Sequence, residues 1–403
     1  MSKYIVVTTI GTKNINIAVG EITKSNELKI VNLVSKVTKE KISRDDLKKL
    51  LRELLNEAFE ELEFKPEIMY LGLDNKDFRI SETYCSMDKK DSGKINSNDI
   101  KKIILKSKRK VVLNSNEEII DSKMNFFMID GRTVKKSILG WRGNNITVNI
   151  THVIFKQSRV IDEYKEIFNE IGIKTIHSKS NSISVAAMMK QVKENRLEAM
   201  IEVGSTNTNI TIINNGVVVD STHIKIGGDH ITSDISICCN YPKMEAERLK
   251  CILSDRYNIE NIYAKELKVG TTLINRELFQ EVINARIKEI LSFIKIQLKN
   301  TGYYDKINSI ILYGDGISNF NEIDKEAKLK FGNVTYVLTK KTLDLQKSSY
   351  INTLAIVKEV YNELKLIYGQ DVLRYCHENF KVNHIRKMNT WFTKVKKILG
   401  EGF

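Results

Sequence analysis

The stretch AMIEVGSTNTNITIINNGVVVDSTHIKIGGDHITSDI, residues 199–235, decides how the rest of the chain is read. It runs as an apolar strand (199–203), a glycine turn at Gly204, a second strand over Ile210–Ile213, and a tight Asn214-Asn215-Gly216 turn. A third strand, Val217–Ile224, precedes Gly227-Gly228-Asp229, which opens a helix reaching Cys239. The N-terminus carries the same theme. Tyr4–Thr8 is a short apolar run, Gly11-Thr12-Lys13 is a turn of small bulk, Ile15–Ile22 alternates, and Leu28–Val34 follows Ser25-Asn26. Two copies of one strand–turn–strand–strand unit predict an internally duplicated, two-lobed α/β fold.

Working outward, residues 45–62 place Leu47, Leu50, Leu51, Leu54, Leu55, Ala58, Phe59 and Leu62 on one stripe, which predicts a surface helix. Glu67–Leu73 reads as a further strand. From Tyr84 to Val160 the chain turns charged and Asn-rich, with a basic helix started by Ser97-Asn98-Asp99 and a strand over Val148–Phe155, so this span reads as an inserted α+β module. Helices are expected over Tyr164–Ile171, Ser182–Val192, Lys243–Leu253 and Arg276–Lys299, the last through Leu278, Val282, Ile283, Ile287, Ile290, Leu291 and Ile294. Ser309–Tyr313 is an apolar strand running into Gly314-Asp315-Gly316.

Composition narrows the class. The chain has 403 residues, 42% hydrophobic and 28% charged, which is globular and long enough for two lobes. Its formal charge of +14 favours an anionic partner without choosing one. Two prolines exclude Pro-rich stalks, and five cysteines without C-x-x-C spacing read as free thiols in a reducing compartment. No signal peptide and no bilayer-length apolar run is visible, so a cytosolic chain with at most peripheral membrane contact is expected.

Glycine followed by small hydroxyl residues after a buried strand lets backbone N–H groups approach a phosphate. Such turns occur at Gly11-Thr12-Lys13-Asn14, Gly204-Ser205-Thr206-Asn207 and Gly314-Asp315-Gly316, with Gly227-Gly228 opening a helix. The histidines lack metal-ligand spacing, and Cys238-Cys239 are adjacent on a helix and point apart, so no metal site is expected. The basic run Lys101, Lys102, Lys106, Lys108, Arg109, Lys110 has no aromatic interleaving, so it reads as a solvated face and nucleic acid is not expected as a partner.

The C-terminus has its own pattern. Met388, Trp391, Phe392, Val395, Ile398 and Leu399 recur at helical spacing, with Lys394, Lys396 and Lys397 among them. An apolar face carrying Trp, a basic face, and a length too short to span predict an in-plane helix on an anionic membrane. Polar residues 367–387 would be its tether.

Taken together, IGTKNINIAVGEI, the 202–235 segment, MEAERLK, VINARIKEI, IILYGDGISNFNEI and SYINTLAIVKEVY resemble the FtsA family of the actin–Hsp70–sugar kinase superfamily over nearly the whole chain. That resemblance implies an actin-like fold of two RNase H-like lobes around a nucleotide cleft, with subdomain 1C as the insert. It implies ATP with Mg²⁺ held by the glycine turns, Glu247 and Lys250 toward the adenosine, actin-type filaments, and binding of the FtsZ C-terminal peptide by the helical region 240–305. It places the chain on the cytoplasmic face of the membrane at the septum. The expected subdomains are 1A (1–83, 161–196, 347–366), 1C (84–160), 2A (197–242, 305–346) and 2B (243–304).

Three positions depart from the family pattern. Thr9 stands where an acid is usual, Glu202 with Thr208-Asn209 replaces the usual second segment, and Asp315 interrupts the adenosine glycine turn. An acid lost beside Mg²⁺ and a carboxylate added beside a polyphosphate both oppose phosphoryl transfer, so weak or absent hydrolysis is expected. The rivals are a turning-over actin-like ATPase or kinase, a PilM-like pilus or secretion scaffold, and a plasmid-segregating actin.

Overall fold

The computed structural model describes residues 4–369 apart from 39–41, 61, 63–65, 75–77, 90–92, 190–195, 256–265, 270–271, 321, 333, 340–344 and 346–347. The chain forms two compact units: Met1–Val192 with Gly216–Ser221 and Tyr350–Phe403, and Lys193–Asn215 with Thr222–Ser349.

In the first unit β1 (Tyr4–Ile10), β2 (Asn14–Ile22), β3 (Leu28–Val37), β4 (Ile68–Leu73) and β9 (Thr175–Ser180) make a sheet of order β3-β2-β1-β4-β9. β1 runs antiparallel to β2 and parallel to β4. The second unit repeats this plan. β10 (Leu197–Val203), β11 (Thr208–Asn214), β12 (Val217–Ile224), β15 (Ser309–Tyr313) and β16 (Thr335–Val337) have the order β12-β11-β10-β15-β16. β10 is antiparallel to β11 and parallel to β15. The duplication expected from the two Gly-turn hairpins is therefore one of sheet order and strand direction.

α1 (Arg44–Phe59) starts where Ser43 Oγ accepts from Asp46 N at 3.1 Å. It buries Leu47, Leu51, Leu54, Ala58 and Phe59, each contributing on the order of 1–3 kcal/mol. Around the same sheet lie α3 (Ser158–Glu170), α4 (Asn181–Met189) and α9 (Tyr350–Tyr368). α3 begins well before the expected Tyr164 because Val160 and Ile161 continue its apolar face onto the core. α9 continues to Tyr368, taking up the first residues of the stretch expected as tether. Leu366 and Ile367 give it an apolar contact that periodicity alone did not reveal.

The insert is a four-stranded sheet, β5 (Phe78–Asp88), β6 (Glu118–Ile129), β7 (Arg132–Val134) and β8 (Asn145–Phe155), in the order β5-β8-β6-β7, with α2 (Ser97–Lys108) against it. The sheet opens at Phe78, ahead of the Tyr84 boundary expected from composition, since Phe78 pairs with Phe155 across β5 and β8. Asn96 caps α2 reciprocally with Asp99, which explains the sharp start at Ser97. His152 is fully buried; its Nε2 lies 2.7 Å from Ser107 Oγ and its Nδ1 2.9 Å from Ser122 Oγ. Burial pushes its pKa down to about 4.

A buried ion network ties the insert to α9. Lys179 Nζ reaches Asp121 Oδ1 at 2.8 Å and Glu363 Oε2 at 2.6 Å, and Lys123 pairs with Asp121, Glu359 and Glu363. The three carboxylates lie within 4.8 Å of one another, as a metal site would need, but the two ammonium groups supply the countercharge. Burial opposes ionisation of Asp121, yet Lys123 and Lys179 hold its pKa down to about 2.

In the second unit α5 (Gly228–Cys238), α6 (Lys243–Asp255), α7 (Arg276–Asn300) and α8 (Ile323–Phe331) accompany the sheet, and β13 (Glu266–Val269) pairs with β14 (Thr272–Asn275). α7 buries Phe279, Ile283, Ile287, Ile290, Leu291, Ile294 and Leu298. Leu278, expected inside, is 37% exposed, because Phe279 takes the inward position at the helix start. No helix among the described residues is long and apolar enough to cross a membrane.

Candidate functional site

Each duplicated hairpin ends in the same turn. Gly11 N donates to Asn14 O at 2.9 Å, and Gly204 N donates to Asn207 O at 2.9 Å. The sequence-predicted Gly11, Thr12, Lys13 and Asn14 thus form one four-residue turn in the first unit. Gly204, Ser205, Thr206 and Asn207 form its counterpart in the second.

In the second unit the glycines converge. Val203 O accepts from Gly316 N at 2.9 Å, Gly204 O from Gly228 N at 3.0 Å, and Ser205 O from Asp229 N at 2.8 Å. Carbonyls of the turn are thereby drawn inward, which removes acceptors that would repel a phosphate on its outer side. The approach needs glycine: a Cβ on Gly227 would sit 2.4 Å from Gly204 O, and one on Gly314, whose φ is +107°, 2.4 Å from Val203 O. Gly228 and Gly316 are in backbone contact with each other. The first N–H groups of α5 are spent on holding the turn, so Gly227 and Gly228 build the cradle from behind. Asp315 is exposed at the tip of its turn.

Lys250 and Glu247 belong to the same corner. Lys250 Nζ donates to Gly228 O at 3.0 Å, Thr232 Oγ1 at 2.7 Å and Glu247 Oε2 at 2.7 Å. Three donors meet three acceptors, so the buried ammonium is a strut fastening α6 to the start of α5. Glu247 is half-buried beside it.

The floor of each hairpin carries a cross-strand polar pair at matching positions: Thr9 opposite Asn16, and Glu202 opposite Asn209. Thr9 Oγ1 lies 2.7 Å from Thr353 Oγ1 and accepts from Asn16 Nδ2 at 3.3 Å, a neutral and satisfied group. In the second unit Asn209 Nδ2 donates to Glu202 Oε2 at 3.2 Å. Asn209 Oδ1 is buried with no hydrogen-bond partner among the described residues. A carboxylate beside an orphaned amide oxygen is a hard-oxygen donor set that suits hydrated Mg²⁺, which needs only one or two carboxylates besides phosphate oxygens and water. Glu202 and Asn209 of the second unit thus fit the ion, whereas the matching Thr9–Asn16 pair of the first unit carries no charge.

The model of the cell division protein FtsA family matches residues 199–355, the segment containing this glycine cluster. FtsA of Buchnera aphidicola subsp. Baizongia pistaciae is 24% identical over 97% of this chain and 98% of its own length. FtsA of Bacillus subtilis is 27% identical over 76% of this chain and 72% of its own. The chain is FtsA-like. Among solved structures, that of the PilM–PilN type IV pilus biogenesis complex superposes with a TM-score of 0.56 at 11% identity, over 93% of this chain and 99% of the other. MreB 5 of Spiroplasma citri bound to AMPPNP gives 0.50 at 13% identity, over 90% and 99%. These likenesses show the actin-like ATPase fold.

The proposed membrane residues Met388, Trp391, Phe392, Lys394, Val395, Lys396, Lys397, Ile398 and Leu399 lie outside the described residues. Two arrangements carried no sequence signal: the Thr9–Thr353 contact and the Asp121–Lys123–Lys179–Glu359–Glu363 network. Both join segments far apart in the chain, so only the folded FtsA-like chain assembles them.

Proposed function

We propose that this FtsA-like chain is a membrane-tethered actin-like scaffold that binds ATP, polymerises, and anchors the FtsZ ring to the cytoplasmic face of the membrane at the septum. The observation that carries nucleotide binding is the second unit's glycine cluster, whose backbone contacts leave room for no side chain at Gly227, Gly314 or Gly316. Bound Mg²⁺ would neutralise phosphate charge, with Glu202 and Asn209 as the residues toward it. Ser205 and Thr206 present hydroxyls on the half-exposed turn, and Lys250 keeps the start of α5 in place. Asn209 is an amide that donates to Glu202 and cannot draw a proton from water, so turnover is weak or absent. The FtsZ C-terminal peptide would dock on the helical region 240–305, and the basic amphipathic tail 388–403 would hold an anionic surface.

Sedimentation with anionic liposomes tests this, comparing the full chain with one ending at Lys387, each with and without ATP and Mg²⁺. Loss of binding on truncation, and ATP-dependent co-sedimentation of the full chain, are the expected results. Equal binding by both chains overturns the tether. The PilM likeness favours a pilus-type scaffold as the second reading; failure to bind an FtsZ C-terminal peptide in solution would decide for it.

A further inference from the structure

The chain's positive charge is concentrated on the insert. Residues 84–160 hold 16 Lys and Arg against 7 Asp and Glu, which accounts for most of the formal +14. Part of it is focused at one end of the module. Ile95 N donates to Trp141 O and Gly140 N to Ile95 O, each at 2.8 Å, and Lys94 bridges to Arg142, so segments 94–97 and 137–142 lie side by side. Lys94, Lys135, Lys136, Trp141 and Arg142 are all exposed there. Trp141 is 40% accessible, with Lys136 Nζ 5.5 Å from its ring centroid. The neighbouring acids are engaged: Asp99 accepts from Lys89 at 2.7 Å, and Asp130 accepts from the backbone N–H of Asn144 and Asn145.

This same end receives the C-terminus of α9. Ser137 Oγ donates to Leu366 O at 3.1 Å, Lys101 Nζ stands 4.9 Å from the Tyr368 ring centroid, and Leu139 borders Gly369, whose φ of +64° ends the helix. A cavity of about 670 Å³ lies between, with Ser97, Leu139, Lys365 and Tyr368 in its wall. The last described turn of α9 therefore lies beside this basic, Trp-bearing surface. Residues 370–387 separate Gly369 from Met388 and, even fully extended, span at most about 70 Å. A tail held at a bilayer keeps this surface at high effective concentration there.

We propose that this end of the insert is a second membrane-contact surface: Trp141 enters the interfacial layer while Lys94, Lys135, Lys136 and Arg142 face anionic headgroups. An exposed indole amid cations matches the amphipathic chemistry of a membrane interface better than that of a nucleic-acid groove. The proposal rests on the tail reading only for the proximity that the tail supplies.

The two tryptophans of the full chain, Trp141 and Trp391, separate the two surfaces. Trp391→Phe leaves Trp141 as the sole indole, and Trp141→Phe leaves Trp391. Each is mixed with vesicles of phosphatidylglycerol and phosphatidylcholine, with or without brominated acyl chains, and its emission is followed. Both tryptophans should shift to the blue and be quenched. The Trp141 response should fade at 0.5 M salt, where exposed charges are screened. In the full chain, Lys94→Gln, Lys135→Gln, Lys136→Gln and Arg142→Gln together should lower vesicle partitioning on the order of a thousandfold, while the circular dichroism stays unchanged. A Trp391 response with an unaltered Trp141 spectrum overturns the proposal and leaves the tail standing. Silence from both removes both. A Trp141 response to an acidic polypeptide or single-stranded RNA, with none to vesicles, overturns the choice of partner.

Discussion

Gly227→Ala puts a methyl carbon 2.4 Å from Gly204 O, 2.6 Å from Ser205 O and 2.8 Å from Ser205 C, all backbone atoms that no side-chain rotation can clear. Relief requires the turn and the first residues of α5 to separate. That separation removes the bonds from Gly228 N to Gly204 O and from Asp229 N to Ser205 O. Each buried group left unpaired costs ~1–3 kcal/mol, so the variant should lose about 3–5 kcal/mol in the stability of the second unit. ATP affinity, measured by titration calorimetry with Mg²⁺ present, should fall at least tenfold. Gly302→Ala is the control. Its φ of +75° makes alanine strained by ~1–2 kcal/mol, but a Cβ there meets nothing within 4 Å, so nucleotide affinity should not change. If Gly227→Ala binds ATP like the parent chain and unfolds no earlier in urea than Gly302→Ala, the cradle does not work through this contact.

Other outcomes follow from the same geometry. The folded His152 pKa of about 4 lies below the unfolded value near 6.5, so its neutral form stabilises the fold fully above pH 6.5. That contribution, about 3 kcal/mol, should drain away between pH 6.5 and 4 in urea titrations, and His152→Gln should flatten this window. Asp121 is also depressed, so a second loss should appear as pH falls from 3.8 toward 2. Lys179→Met leaves the buried Asp121 and the half-buried Glu363 carboxylates short of a countercharge and should cost about 3–5 kcal/mol by thermal or urea unfolding. Thr9→Asp inserts a carboxylate between Thr353 and Asn16 and should lower stability by about 1–3 kcal/mol in urea unfolding; an unchanged midpoint would show that this buried position tolerates a charge.

Much of the fold was legible because it rests on local pattern. The alternation in Ile15–Ile22, the apolar run Ser309–Tyr313 and the Asn215-Gly216 turn each specify a strand or its end without help from elsewhere. Both Asn215 and Gly216 adopt positive φ, as that pair of residues announces. Boundaries were legible where a cap marks them, as at Asn96, and missed where burial against a distant segment extends an element, as at Phe78 and at the end of α9. In the candidate site the turns were legible and their purpose only half so. Gly227-Gly228 reads in the sequence as the opening of a helix, and the structure adds that α5 spends the N–H groups of Gly228 and Asp229 on the 204–205 carbonyls.

The amino-acid sequence by itself determined the duplicated hairpins, the glycine turns and the helical spacing of apolar and basic residues over 388–399, since each is a property of a few neighbouring residues. Tertiary structure alone decided that Lys250 fastens α6 to α5, that Thr9 is satisfied by Thr353, and that Asp121, Lys123, Lys179, Glu359 and Glu363 meet. It also decided that α9 ends beside Trp141 and its cations. These pairings depend on distances between segments remote in the chain, which hydrophobic packing of the whole unit sets and which no local periodicity encodes.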